Sequence, residues 1–441
     1  MPTENAPADF YRTDEGIGIW EHRGKVAAVG IGHSPTARRW DGQAETSIGA
    51  WALMAIRNAI EDAGITPDQV DGLVLDPSTT TGAWWPEGDP LPEDVLSQFQ
   101  PGENPMDGVA SLSGDWILNN MPELSNVTFK MNGPVCMSNS ICVAAESVGR
   151  GLTSVCLVVK AWHNFPGRYY QGGRNAQNTV EGPGVWTNPW GTSAGTNDGF
   201  QFTEYMDKYN QSHDKMAAFI VNSKRNGLMF PEGFFAQHRP DEVTVEDYLN
   251  ARWIVEPLNL FDHDMPIHVA VAYVFASAEK AADMAQKPVY ILNHVTTRPP
   301  FALRPTLELA ERATDATARK LYEGSGTSAE DLDFENMYDG FATFHNYHLE
   351  GLGFAGIGRG EALDFYQGDI SIEGPTPISP SGGNVGAGRT RIWMHTDSIL
   401  QIQGRAGDRQ VHLKGGQPEV GVSGGPMPQM GDFMIWASDA D

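Results

Sequence analysis

The sequence predicts an α/β protein built from two copies of one strand–helix–strand unit, and three observations carry that prediction. A buried-strand pattern, an amphipathic helix, a turn and a second strand follow one another between residues 25 and 75. The same succession returns later in the chain at a fixed offset. The composition, 441 residues with 40% hydrophobic and 10% aromatic content, is ample for large cores.

Lys25 to Ile31 (KVAAVGI) is apolar without alternation, the pattern of a strand buried on both faces. From Thr46 to Ala63 the apolar positions Ile48, Trp51, Ala52, Ala55, Ile56 and Ile60 recur at helical spacing, and Gly64 stops the helix. A turn and a second strand, Gly72 to Leu75, complete a βαβ unit. The stretch Gly64–Asp71 (GITPDQVD) lines up without gaps against Gly326–Asp333 (GTSAEDLD), an offset of 326 minus 64, or 262. Carried back from Pro288, that offset reaches Val26, and PVYILN is again a buried-strand pattern; the helix recurs as Thr306 to Tyr322. Strand, helix and turn at one spacing argue for a duplicated domain whose two sheets stack around shared helices.

On this basis residues 1–24 form an N-terminal extension, 25–280 the first half and 281–441 the second. Loop regions 79–126 and 165–250 interrupt the first half; Thr79–Asn126 mixes Pro, Gly and acids, and Phe165–Gly199 is rich in Gly, Asn and aromatics. Loops of this length are lids, binding loops, subunit contacts or surface insertions.

The stretch Met1–Trp20 contains no apolar run, and no later segment approaches the roughly 18 apolar residues of a membrane span, so no membrane span is expected. Three cysteines, Cys136, Cys142 and Cys156, have neither disulfide-framework nor zinc-type spacing; a reducing, cytoplasmic location and no metal site follow. With 56 acidic and 30 basic side chains the net charge of -26 repels polyanions and argues against nucleic acid as a partner. The same charge serves solubility.

Several segments together resemble the thiolase superfamily. Asn132–Ser140 (NGPVCMSNS), an Ala-rich helix and the strand Ser154–Trp162 resemble a thiolase nucleophile segment, and Val420–Gly425 resembles the closing strand. Asn250–Asp262, Tyr338–Phe344 (YDGFATF), Leu352–Glu361 (LGFAGIGRGE) and Ser381–Gly383 are similar to the lipid-transfer-protein branch, the sterol-carrier-protein-like thiolases that include bacterial steroid side-chain aldolases. The likeness runs from about Gly24 to Gly425. It implies a five-layer αβαβα fold and work on acyl-coenzyme A thioesters, with coenzyme A arriving as part of the substrate and no cofactor held by this chain. It further implies a homodimer that binds a small OB-fold, zinc-ribbon partner to make a heterotetramer, with zinc in the partner.

In that family Cys136 occupies the nucleophile position, at a helix start whose dipole would lower a thiol pKa; a packed core cysteine is the alternative. The activating Gly-His of thiolases is replaced by Gly388-Arg389, and the late acid cysteine by Val422. Tyr338-Asp339 carries the tyrosine form of the aldolase branch, and a phenol of ordinary pKa near 10 is a proton donor at rest that needs a neighbouring cation to act as base. The steroid aldolases have a second tyrosine where Arg389 stands, and their Asp-Gly before the Ala-Val strand is His268-Val269 here.

The expected catalytic residues are therefore Tyr338, Cys136 and Arg389, with Asp339, His345, His268, Gly382, Gly383 and Gly388 as substrate-binding candidates. His345 and His348 are spaced for a metal but lack a third ligand nearby, which favours a structural role. Gly382 to Gly388 read as close backbone packing or an oxyanion loop rather than a dinucleotide fingerprint. The expected reaction is retro-aldol cleavage of a bulky β-hydroxyacyl-CoA to an acyl-CoA and a ketone or aldehyde. The rivals are a Cys136-dependent thiolase or acyltransferase and a non-catalytic acyl-CoA or lipid-binding subunit. Trp84, Trp85, Trp162, Tyr169, Tyr170, Trp186 and Trp190 suit a bulky or aromatic acyl group.

Overall fold

Strand β1 (Val26–His33) is buried over all but its last residue, as its unbroken apolar run requires. The structure, a computed structural model, describes residues 18–76, 112–132, 137–162, 194–296, 306–413, 415–425 and 432–441. Helix α1 (Ile48–Ala63) starts on Ser47, whose side chain accepts from the Ala50 amide, and ends on Gly64 in the left-handed region. The first half continues through β2 (Gly72–Leu75), α2 (Gly114–Asn120), β3 (Phe129–Asn132), α3 (Met137–Gly149) and β4 (Val155–Trp162). It then passes α4 (Ala194–Tyr209), α5 (Met216–Leu228), α6 (Phe234–His238) and α7 (Val245–Leu249). A ribbon of β5 (Trp253–Val255) and β6 (Leu258–Asn259), then β7 (Val269–Ser277) and α8 (Ala278–Ala281), complete that half.

The second half begins with β8 (Val289–Thr296), α9 (Leu307–Ser325) and β9 (Phe334–Met337). It goes on through α10 (Ala342–Leu352), α11 (Ala362–Phe365), α12 (Gly383–Ala387), α13 (Trp393–Gln403), β10 (Val420–Gly424) and β11 (Asp432–Ala437).

Among the described residues the large sheet runs β3-β2-β4-β7-β1-β8-β11-β10-β9. Read outward from its middle, each half places its first strand, then its last, then the one before the last, then its second. Pairing directions repeat as well: β2 is parallel to β4 as β9 is to β10, while β7 and β11 are antiparallel to their neighbours. Local detail repeats at the predicted offset. Gly64 and Gly326 end their helices at φ 69 and φ 70, and Thr66/Gln69 and Ser328/Asp331 close equivalent turns with capping boxes. Asp71 accepts from the amides of Ser154 and Val155, and Asp333 from those of Glu419 and Val420.

Helix α1 covers one face of the first-half strands in a cluster with Ala27, Val29, Leu73 and Leu157. On the other face α3 touches strands of both halves, and α13 packs on β8 to β11, with α9 outside. The layers are therefore α1, first-half strands, α3 with α13, second-half strands and α9. The two halves also join edge to edge, through the pairs Ala27–Tyr290 and Ala28–Val289.

The stretch 194–250, expected as loop, is mostly helical. Phe202 and Tyr205 on α4, and Met216, Phe219 and Ile220 on α5, bury apolar faces in the main core, and that packing outweighs the polar composition that suggested a loop. No helix among the described residues is long and apolar enough to cross a membrane.

Candidate active site

Strand β9 delivers Tyr338 directly at its end, where the Tyr338 amide donates to the Gly424 carbonyl at 2.8 Å. The side chain is buried and stacks on Phe344 with ring centroids 6.2 Å apart. Two residues on, a Cβ at Gly340 would lie 1.9 Å from the phenol oxygen, so only glycine lets the hydroxyl occupy this place.

The segment His263–Pro266 is threaded between this turn and Arg389. His263 bridges to Phe341 and Pro266 to Arg389, and the Arg389 amide donates to the Met265 carbonyl at 2.8 Å. This backbone pairing sets the Asp264 carboxylate 3.6 Å from Arg389 Nε, with both side chains buried. Burial pushes the Asp264 carboxyl up to about 7, with Arg389 and Arg391 pulling the other way. Burial likewise raises the Tyr338 phenol to about 12, opposed by Arg391 and Arg389 and assisted by Asp264 and Asp339. Neither Asp264 carboxylate oxygen has a hydrogen-bond partner among the described residues. The result is a phenol, a carboxyl and two guanidinium groups within one electrostatic neighbourhood, with a carboxyl that titrates near neutrality.

The other predicted site residues are engaged by the protein. Asp339 receives the Asn384 amide at 2.6 Å and the Val385 amide at 3.2 Å, so its carboxylate holds the start of α12. Burial raises it to about 6 against those hydrogen bonds. A Cβ on Gly383 would stand 2.0 Å from Asp339 Oδ2, which makes the glycine a condition of that clasp. Gly382 and Gly388 are buried too, against α5 and against Phe234 and Ile267 respectively. These contacts favour the packing reading of the Gly-rich turn over direct contact with a ligand.

His345 meets Glu335 at 2.9 Å and the Tyr366 hydroxyl at 2.8 Å, fully buried. His268 meets the Thr46 carbonyl at 2.7 Å and packs on Trp51, under α1, and burial lowers it to about 4. Both belong to the interior scaffold. Cys136 lies outside the described residues, as do Trp84, Trp85, Tyr169, Tyr170, Trp186 and Trp190 and the side chain of Trp162. Among the described residues no group of three or more His, Cys, Asp or Glu could hold a metal ion.

Comparison with known proteins agrees with this architecture. The family description "Thiolase C-terminal domain-like" matches residues 301–424. A steroid side-chain-cleaving aldolase of Thermomonospora curvata is 27% identical over 82% of this chain and 86% of its own length. The 17-hydroxy-3-oxo-4-pregnene-20-carboxyl-CoA lyase of Mycobacterium tuberculosis is 28% identical over 82% of this chain and 87% of its own length. The structure of the Ltp2-ChsH2(DUF35) aldolase superposes with a TM-score of 0.73 at 22% identity, over 94% of this chain and 98% of that one. The chain has the thiolase fold. Human mitochondrial 3-ketoacyl-CoA thiolase shares the fold at a TM-score of 0.61 and 12% identity, over 95% of this chain and 99% of its own.

Within this thiolase-fold site the sequence reading missed Asp264 and Arg391. The signals were modest: a second acid two residues after the Asn250–Asp262 motif, and a second arginine two residues beyond Arg389. It also missed His395, which lies between the superfamily's two diagnostic segments. Its Nε2 meets Ser138 Oγ at 2.8 Å, inside the nucleophile-like segment, and its Nδ1 meets Ser423 Oγ at 2.7 Å in the closing strand. Trp436 Nε1 also donates to Ser423 Oγ, at 2.7 Å. Burial lowers His395 to about 3, so at neutral pH it is an uncharged tie between α3, α13 and β10.

Proposed function

We propose that this chain is a carbon–carbon lyase that cleaves a bulky β-hydroxyacyl-CoA by a retro-aldol step, giving an acyl-CoA and a ketone or aldehyde. The observation that carries this reading is that buried Asp264, raised to about 7 and 3.6 Å from Arg389 Nε, lies within the electrostatic neighbourhood of buried Tyr338, raised to about 12. Retro-aldol cleavage needs a base for the β-hydroxyl proton, stabilisation of the thioester enolate formed when the Cα–Cβ bond breaks, and an acid to return a proton to the α-carbon. A carboxyl near neutrality supplies the base, and a phenol that stays protonated supplies the acid or a hydrogen bond to the enolate oxygen. Arg389 and Arg391 supply positive charge where the enolate's negative charge develops. No bond to sulfur forms in this sequence, which is compatible with Arg389 and Val422 standing where thiolases carry their histidine and second cysteine.

The relatives named as an aldolase and a CoA lyase, aligned over most of this chain, support the same reaction class. The structural neighbour named for its DUF35 component supports a partner subunit. Our reading is a homodimer flanked by two copies of a small OB-fold, zinc-ribbon protein, in the cytoplasm, with the 25–280 and 281–441 halves as the domains of each chain.

The test is a panel of β-hydroxyacyl- and β-ketoacyl-CoA thioesters, with and without free coenzyme A, on wild type and Tyr338→Phe. Cleavage of the hydroxyacyl substrate independent of free coenzyme A is expected, with turnover falling about 10²- to 10⁴-fold in the variant. Cleavage restricted to ketoacyl thioesters and dependent on coenzyme A overturns the reading in favour of thiolysis.

A further inference from the structure

Half of the large apolar side chains left exposed among the described residues fall within one short stretch. Val245 and Leu249 on α7, Trp253 and Ile254 on β5, and Leu260 just after β6 are between 39% and 53% exposed. They belong to one surface. Val245 and Leu249 are four apart and share a helix face. Asn259 Nδ2 donates to the Tyr248 carbonyl at 2.9 Å and ties β6 to α7, while the Leu260 amide donates to the Arg252 carbonyl at 3.0 Å, next to Trp253. On α4 the exposed Phe200 follows Gly199, where a Cβ would lie 3.6 Å from both Val255 and Pro257 of the ribbon.

The ribbon does not cover these groups itself. Successive strand residues point to opposite faces, and Ile254 is the extra residue of a bulge between the pairs Trp253–Asn259 and Val255–Leu258. Trp253 meets His213 with ring centroids 4.9 Å apart yet stays half-exposed. An apolar surface of this kind marks a site of association, and a two-stranded ribbon gains stability from what packs on it.

The charges around it select the occupant. Asp241, Glu242, Glu246, Asp247 and Glu256 are all exposed, against Arg252 as the single basic residue between 241 and 260. A second copy of the chain would bring two such acidic rims together, and an anionic lipid surface would meet the same repulsion. The complement is a basic collar around an apolar centre.

We propose that the face formed by α7 and the β5–β6 ribbon is the docking surface for a protein subunit with a basic collar around an apolar centre. For the identity of that subunit the proposal rests on the two-subunit reading above, and it adds where the subunit sits. From the ribbon the chain passes through Asp262, which accepts from Tyr248 Oη at 2.8 Å, and reaches Asp264 two residues on. Docking on α7 and the ribbon therefore bears on the segment that carries Asp264.

The experiment measures the Kd between the full-length chain and the small OB-fold, zinc-ribbon protein, with no thioester present. Leu249→Lys combined with Ile254→Lys puts two ammonium groups against a basic partner and raises Kd at least about 30-fold. Leu152→Lys, at an exposed apolar residue outside the face, changes it less than about twofold. Glu242→Lys combined with Glu246→Lys slows association about tenfold at low salt and far less in about 0.5 M salt; this exposed pair decides the matter if the first pair misfolds. A wild-type complex indifferent to both pairs overturns the docking face and leaves the two-subunit reading standing, whereas no complex with wild type overturns both. Light scattering on the chain alone is the remaining arm: an oligomer of the chain that falls apart in the Leu249→Lys, Ile254→Lys variant assigns the face to a second copy and overturns the proposal.

Discussion

Asp264 and Tyr338 illustrate how two buried acids acquire different work from their surroundings. Both are pushed up by desolvation, yet a carboxyl starting near 4 arrives near neutrality while a phenol starting near 10 moves out of the physiological range. In the proposed reaction their environments would separate proton acceptor from proton donor, the usual basis for assigning such roles. With Asp264 as base, kcat/KM rises with pH through about 7, because below that value the carboxyl is protonated and cannot accept the substrate proton. Asp264→Asn should abolish that limb of the profile and lower the plateau about 10²- to 10⁴-fold; a persisting limb near pH 7 would assign it to another group. Tyr338 was legible in the sequence because the YDGF segment resembles a family motif. Asp264 was not, since the backbone pairing of Met265 and Pro266 with Arg389 is what brings it there.

At the scale of elements, the turn from β9 into α10 does most to position the groups of the proposed site. The peptide after Tyr338 turns its carboxylate neighbour, Asp339, onto the amides that begin α12, while Gly340 leaves room for the phenol. Gly340→Ala places a Cβ in the space of the hydroxyl, so the Tyr338 ring must shift. Overpacking of this kind costs about 1–3 kcal/mol, and activity should fall nearly as far as in Tyr338→Phe. Because both changes remove the same group from its place, their combination should cost little more activity than either alone. Kinetics on the three variants, with thermal unfolding to confirm the fold, checks this; fully multiplicative losses would separate the glycine from the tyrosine. The strand–helix–turn repeat was readable because local rules govern it: apolar periodicity, a left-handed glycine and a capping box. The helices across 194–250 were hidden because their stability comes from tertiary burial of a few aromatics rather than from a strong periodic signal.

For the whole molecule, the formal charge of -26 bears on assembly. An anionic thioester approaching such a surface is repelled at long range, and a subunit carrying the missing positive charge relieves that. Co-expression with a small OB-fold, zinc-ribbon protein should raise solubility and turnover and yield a complex of two copies of each chain by light scattering; a stable, fully active monomer indifferent to such a partner would sink the assembly model. The sequence foresaw two halves and their shared helices, but not their edge-to-edge junction at Ala27–Tyr290 and Ala28–Val289. A junction of only two residue pairs leaves no mark on composition.

The duplication also means that the fold presents the Tyr338 position twice. Subtracting the repeat offset of 262 from 338 gives 76, and Asp76 ends β2 as Tyr338 ends β9. There, however, the carboxylate meets Lys160 Nζ at 2.7 Å, with both side chains almost wholly buried. Two opposite charges locked together away from water neutralise one another, and parting them leaves an uncompensated buried ion at a cost of about 3–5 kcal/mol. One twin of the address is thus sealed by a salt bridge while the other holds a protonated phenol, so under the proposed reaction doubling the scaffold would not double the stoichiometry of its chemistry.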